Sequence, residues 1–215
     1  MANITVIGGT GYTGSNIVAE LASRGHRVTS FSRKAAPAPV EGVTYLHGDA
    51  TDLGAIAAAV QGADVVIGTL APRGELAGRV AGIYQELPGL AKTPKDRLIL
   101  IGGWSSLRPA KGAPRFTAGD GVPERFRAEA EEMAGVADWL EAGDRGVDWI
   151  FVSPAAVYGA FAPGERTGTY RTGADVALQA ADGSLDTEIS GADFAKAIAD
   201  EVDEHRLTGH VAFAH

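Results

Sequence analysis

Ile7-Gly8-Gly9-Thr10-Gly11-Tyr12-Thr13-Gly14-Ser15 is the stretch that decides how this chain folds. Gly9, Gly11 and Gly14 keep a G-x-G-x-x-G spacing, and Gly8, Gly11 and Gly14 keep the related G-x-x-G-x-x-G. A chain with 29 glycines produces such spacings by chance, so the flanking sequence has to carry the inference. Here it does. The β-branched run Ile4-Thr5-Val6-Ile7 ends at the glycines, and Ile17, Val18 and Leu21 follow at helical spacing, closed by Arg24-Gly25. Strand, glycine turn and helix in that order open a βαβ unit. The turn lets bare backbone approach a pyrophosphate, and the helix N-terminus adds partial positive charge. Gly8, Thr10, Gly11, Tyr12, Thr13 and Gly14 are therefore candidate ligands of a dinucleotide. A turn that only lets the helix pack is the alternative.

Outward from this unit, strand and helix signals alternate. Strands are predicted at 27–31, 43–46, 64–67, 98–101, 149–152 and 210–213. Asp52 stands where an N-cap belongs, ahead of a helix over 53–60. Longer helices are predicted over about 124–142 and 190–204. Short buried strands between amphipathic helices imply an α/β fold: a doubly wound, mostly parallel sheet with helices on both faces. No linker or repeat divides residues 1–215, so one dinucleotide-binding domain is expected. The glycine-rich stretch around 154–190 would form a small substrate-side lobe.

The bulk numbers exclude several functions. A net charge of −8 argues against a nucleic-acid partner, because a phosphate backbone rewards clustered Lys and Arg. The absence of cysteine removes disulfides, thiolate catalysis and cysteine metal sites. The five histidines show no ligand spacing, so no metal is expected. Met1-Ala2-Asn3 runs straight into a strand, and no apolar stretch approaches the roughly 20 residues that span a bilayer. The expectation is a cytoplasmic protein, a monomer or homodimer, without membrane contact. Glu129, Glu131 and Glu132, with Arg125 and Arg127, read as a solvated helix face.

The second strand narrows the ligand. An NAD site usually shows Asp or Glu about 20 residues beyond the turn, accepting from the ribose hydroxyls. Here the chain reads Phe31-Ser32-Arg33-Lys34, with no acid. A guanidinium can hold a 2′-phosphate with two hydrogen bonds. Ser32 and Arg33 thus point to NADP(H), with NAD(H) left possible.

These residues resemble an atypical short-chain dehydrogenase, and within that group the flavin-reductase-like branch of the NmrA-like NAD(P)-binding proteins. The resemblance covers nearly the whole chain. It rests on Gly8 to Gly14, on Gly48-Asp49-Ala50-Thr51-Asp52 and on Trp149 to Pro154. Phe161-Ala162-Pro163-Gly164-Glu165-Arg166-Thr167-Gly168 and Ile189 to Ala195 continue it, the Pro-Gly-Glu-Arg-Thr-Gly part being the most specific. The resemblance implies that Asp49 and Ala50 contact the adenine. It also implies that Gly68-Thr69-Leu70 pass beside the ribose and nicotinamide. Some members use NADH, whereas Arg33 favours NADP(H).

Typical short-chain dehydrogenases pair Tyr and Lys as Tyr-x-x-x-Lys, which lowers the phenol pKa for proton exchange. Four residues after Tyr12, Tyr45, Tyr84, Tyr158 and Tyr170 stand Asn16, Asp49, Pro88, Ala162 and Ala174. The dyad is missing. Hydride transfer to a flavin or quinone needs mainly positioning, so reduction of a small flat acceptor survives this test, with flavin as acceptor rather than tightly bound group. A non-catalytic NADP(H) sensor survives it equally, and a sugar-nucleotide epimerase-like enzyme fits less well. Strand ends supply the remaining candidates. Ser105 and Ser106 could donate to the acceptor, and Trp104 could stack on it. Backbone of Ser153 and Pro154 could meet the nicotinamide amide, and Arg166 and Tyr170 could line the acceptor side. Loop, packing and surface ion-pair roles are the alternatives for these residues.

Overall fold

Apolar residues fill nearly every position of the central strands, as strands covered on both faces require. In the computed structural model, residues 1–90, 97–185 and 187–215 are described. Eight strands form one sheet: β1 (Asn3–Ile7), β2 (Arg27–Ser32), β3 (Thr44–His47), β4 (Val65–Gly68), β5 (Arg97–Ile101), β6 (Asp148–Ser153), β7 (Arg171–Gly173) and β8 (Gly209–Ala214). Their order is β3-β2-β1-β4-β5-β6-β8-β7, parallel throughout except where β7 runs against β8. The order reverses between β1 and β4, which opens a crevice at the carboxyl ends of those strands.

Strand alternation sorts the core into two layers. Ile4, Val6, Ile67, Ile99, Val152 and Phe213 pack with helices α1 (Tyr12–Ser23) and α5 (Gly191–Glu204). Ile7, Phe31, Val66, Leu100 and Phe151 pack on the other side, with α2 (Leu53–Ala59), α3 (Val80–Leu90) and α4 (Glu124–Glu141). The fold is the doubly wound α/β sheet that the alternation predicts. Asp52 caps α2, accepting from Gly54 N–H (2.9 Å) and Ala55 N–H (3.1 Å).

Two elements escape sequence patterning. Gly82, Pro88 and Gly89 interrupt the helical signal of α3, yet its apolar face is buried through Val80, Ile83, Tyr84 and Leu87. Glu132 on α4 also stabilises its start, accepting from Gly78 N–H (2.7 Å) and Ala81 N–H (3.0 Å). β7 is only three residues long and its pairing with β8 is non-local.

The fully buried Asp193 ties the Thr167-Gly168 turn to the start of α5. Its carboxylate accepts from Thr167 N–H (2.7 Å), Gly168 N–H (2.8 Å), Ser190 Oγ (2.9 Å) and Thr167 Oγ1 (3.0 Å). His215 Nε2 lies 3.0 Å away. Burial opposes the charge, but the donors outweigh it and hold the pKa at about 2. A carboxylate depressed in the folded state stabilises above its unfolded pKa of about 3.9, and loses that contribution as pH falls through the folded value. Asp193→Asn should therefore lower the urea midpoint at pH 7, and its deficit against the unmodified chain should shrink between about pH 4 and pH 2. Urea titrations across that window check this; a constant deficit counts against it.

Candidate functional site

The glycine turn is built by close backbone contact. Gly8 N–H donates to Phe31 O (2.8 Å), Gly8 takes a positive φ of 88°, and Gly11 N–H closes on Gly8 O (2.9 Å). A side-chain carbon at Gly14 would stand 2.3 Å from Gly8 O and 2.7 Å from Gly9 Cα. Only hydrogen fits there, so α1 can lie directly against the turn. Gly11 is the N-cap of α1, and no side chain caps the helix. Its leading N–H groups thus have no side-chain cap. Ser32 Oγ accepts from Thr10 N–H (3.1 Å), and Thr69 Oγ1 donates to Ile7 O (2.9 Å), which braces the turn from both neighbouring strands.

This turn forms one wall of a cavity of about 970 Å³. The cavity lies at the carboxyl ends of β1 to β6, where open α/β sheets bind ligands. Its volume stands at the upper end of the roughly 300–1,000 Å³ usual for ligand sites. One end is polar and basic, with Ser32, Arg33 and Lys34 beside the turn. The other is walled by Trp104, Phe126, Met133 and Phe161. Trp104 stacks on Phe116 at 4.1 Å with an interplanar angle of 15°, and Phe161 stands 81% exposed at the mouth.

The cavity gathers most of the residues expected from the sequence: Gly8, Thr10, Gly11, Tyr12, Thr13, Ser32, Arg33, Ala50, Thr69, Leu70, Trp104, Ser105 and Pro154 all border it. Others stand outside its wall. Gly14 lies beneath the turn, and a side chain at Gly68 would meet the Tyr84 ring at 2.7 Å. Asp49 accepts from Thr51 N–H (2.8 Å) in a local turn. Ser106 and Ser153 have no exposed surface. Arg166 donates to Glu20 (2.7 Å) and Tyr170 to Asp200 (2.6 Å), which holds both away from the cavity. Of the expected lobe at 154–190, Pro154 to Ala156 and Tyr158 to Phe161 contribute to the wall.

Phe126, Met133, Tyr158 and Phe161 also border the cavity, and the sequence proposes none of them as a site residue. The apolar Phe126 and Met133 within a charged helix were the available signal. The charged helix face is also not simply solvated: Glu129 borders the cavity and accepts from Arg73 Nε (2.6 Å), while Glu132 caps α3. Arg73 sits on the segment after β4, and Glu75 of the same segment accepts from Arg33. Two ion pairs thus tether that segment across the cavity.

No tyrosine near the cavity is primed as an acid. Burial pushes the phenols of Tyr12, Tyr84 and Tyr158 upward. Tyr158 donates to Thr13 Oγ1 (2.9 Å), and Tyr84 accepts from Leu70 N–H (2.8 Å).

A family model described as NAD(P)H-binding matches residues 8–205. The chain belongs to that family. Three solved structures are similar over its whole length. A proposed exported protein from Burkholderia pseudomallei is 35% identical with a TM-score of 0.84, each chain covered completely. A proposed NADH-flavin reductase from Streptococcus pneumoniae is 25% identical with a TM-score of 0.83, again with complete coverage of both. A proposed epimerase from Bacteroides thetaiotaomicron is 27% identical with a TM-score of 0.86, covering all of this chain and 97% of the other. Among the described residues, no helix is long and apolar enough to cross a membrane, and no cluster of three or more His, Cys, Asp or Glu could hold a metal ion.

For an NAD(P)H-binding family member the turn carries a direct consequence. Gly14→Ala forces its new carbon against Gly8 O and should weaken NADPH and NADH alike, by about tenfold or more. Calorimetric titration of both nucleotides checks this, and unchanged affinity for either would contradict the role given to the turn.

Proposed function

We propose that this protein is an NADPH-dependent reductase of a flat redox acceptor, a flavin first and a quinone second. One observation carries the proposal: the glycine turn and an aromatic, apolar wall border the same cavity. The dinucleotide, when bound, supplies a hydride, and the accompanying proton can come from water at the open mouth. The chain's own part is then to hold two flat groups together and keep bulk water from between them. Trp104, Phe126 and Phe161 suit that task. The name borne by the pneumococcal structure, an NADH-flavin reductase, agrees with a flavin acceptor, although it names NADH and not NADPH. Epimerisation is disfavoured because no Tyr-x-x-x-Lys pair is present and the phenols beside the cavity are shifted upward. We place the reaction in the cytoplasm, with a small-molecule acceptor as its partner.

Arg33 is our determinant for NADP(H). It borders the cavity beside Lys34, and an incoming 2′-phosphate would take the place of the exposed Glu75 as its anionic partner. Charge-assisted hydrogen bonds of this kind contribute about 1.5–3 kcal/mol. Arg33→Ala should thus raise the Kd for NADPH by about tenfold to a hundredfold and move that for NADH far less. Equal losses for both would show that Arg33 does not meet the 2′-phosphate.

The acceptor is tested by supplying NADPH with FMN, FAD or a quinone and following the reduced-nicotinamide absorbance. Steady oxidation dependent on the acceptor is expected. Tight dinucleotide binding with no turnover on any of them would replace the reductase by a redox sensor.

A further inference from the structure

Behind the acceptor wall lies a buried polar chain that neither dinucleotide binding nor hydride transfer requires directly. His210 on β8 is 6% exposed, Ser153 at the end of β6 has no exposed surface, and Arg115 is 6% exposed. His210 Nε2 lies 2.9 Å from Ser153 Oγ, and Ser153 Oγ lies 2.8 Å from Gly103 O. On the other side of the ring, Nδ1 lies 3.1 Å from Arg115 Nη1 and 3.6 Å from Glu141 Oε1. Arg115 in turn holds Ser106 O (2.5 Å), Asp138 (2.7 Å) and Glu141 (2.8 Å).

Counting protons fixes the directions. Ser153 has one hydroxyl proton and two short contacts. If that proton went to His210 Nε2, two oxygen lone pairs would face each other at 2.8 Å between Ser153 and Gly103. If it goes to Gly103 O, Nε2 must carry a proton and donate to Ser153. Arg115 agrees, because its N–H can only donate and so requires Nδ1 to accept. A neutral ring with its proton on Nε2 meets both contacts. Burial lowers the His210 pKa and Arg115 adds to that, against the opposing pull of Glu141 and Asp175. This tautomer also decides against nucleophilic chemistry. Serine, histidine and a carboxylate stand in a row, yet a histidine that donates to serine cannot take its proton.

The chain ends on a residue with little else to hold it. Gly103 has no side chain, and beyond its chain neighbours the nearest atom to a carbon placed there would be Ser105 Oγ, 3.9 Å away. Its carbonyl accepts from Ser153 Oγ and from Ser106 N–H (3.1 Å). Gly102, Gly103, Trp104 and Ser105 all border the cavity. We propose that His210 is a positioning residue: through the Ser153 hydroxyl and the Gly103 carbonyl, it fixes the Gly103–Ser105 segment that an acceptor ring meets. The acceptor half rests on the flat-acceptor function above; the tautomer and the placement of Trp104 do not.

The test uses the full chain with selective ¹⁵N-histidine and ¹⁵N-tryptophan labels, and FMN as probe. At pH 7, His210 should give the neutral Nε2–H signature. His210→Leu should weaken FMN about tenfold or more, change NADPH affinity less than about twofold, and shift or broaden the Trp104 indole resonance. His210→Gln, whose amide N–H can stand where Nε2–H does, should recover most of both readouts. Ser153→Ala removes the link itself and should reproduce the leucine variant, which keeps the test open should that variant fail to fold. An Nδ1–H ring overturns the inference, as do broken-link variants with unmoved FMN affinity and an unmoved Trp104 resonance. If the unmodified chain binds no FMN, the flavin preference falls by itself. The tautomer and the Trp104 resonance then decide on His210 alone.

Discussion

Everything in this protein follows from one close approach, that of helix α1 to the turn after β1. The distance between Gly14 and Gly8 leaves no room for a single methyl group. That contact brings the uncapped end of α1 to the topological switch between β1 and β4. There the parallel strands all present their carboxyl ends, so the loops that follow them converge on one cavity. The positive end of the helix and the loops of six strands thus share one site. A sheet with another order would scatter them.

The same approach explains how much of the molecule can be read from its sequence. A glycine turn after a β-branched run leaves an unmistakable pattern, because sterics forbid almost any other residue at Gly14. The two-layer core is legible for a similar reason: strand alternation sorts Ile4 and Val6 from Ile7, and helical spacing sorts Ile17, Val18 and Leu21 to the inner face. What fails to show is non-local. α3 carries glycines and a proline that read as breakers, and burial against α4 and the sheet overrides them. β7 exists only because β8 has a free edge, which no local pattern states.

Around the site the division is sharper. Residues on the turn and at strand ends fall where spacing places them, since topology fixes those positions. Arg166 and Tyr170 do not, because Glu20 and Asp200, both distant in sequence, take their hydrogen bonds. Phe126 and Met133 go the other way, drawn to the cavity by a helix that looks solvated along most of its length. Chain neighbours say little about which cation meets which carboxylate. Long-range ion pairs are the part of a fold that spacing conveys least.

The apolar wall and the missing dyad are two sides of one physical fact. Burial among aromatic and aliphatic groups disfavours charged phenolate, and it raises the phenols of Tyr12 and Tyr158 where they border the cavity. No lysine stands at the helical spacing that would reverse this shift. A site so made is poor at moving protons between carbon and oxygen. The reductase proposed above asks instead for flat groups held face to face, which needs area, shape and excluded water. One polar pair is set behind the wall, where Ser153 meets the Gly103 carbonyl and His210 meets Ser153. On that proposal, proximity is what this arrangement of residues has to supply.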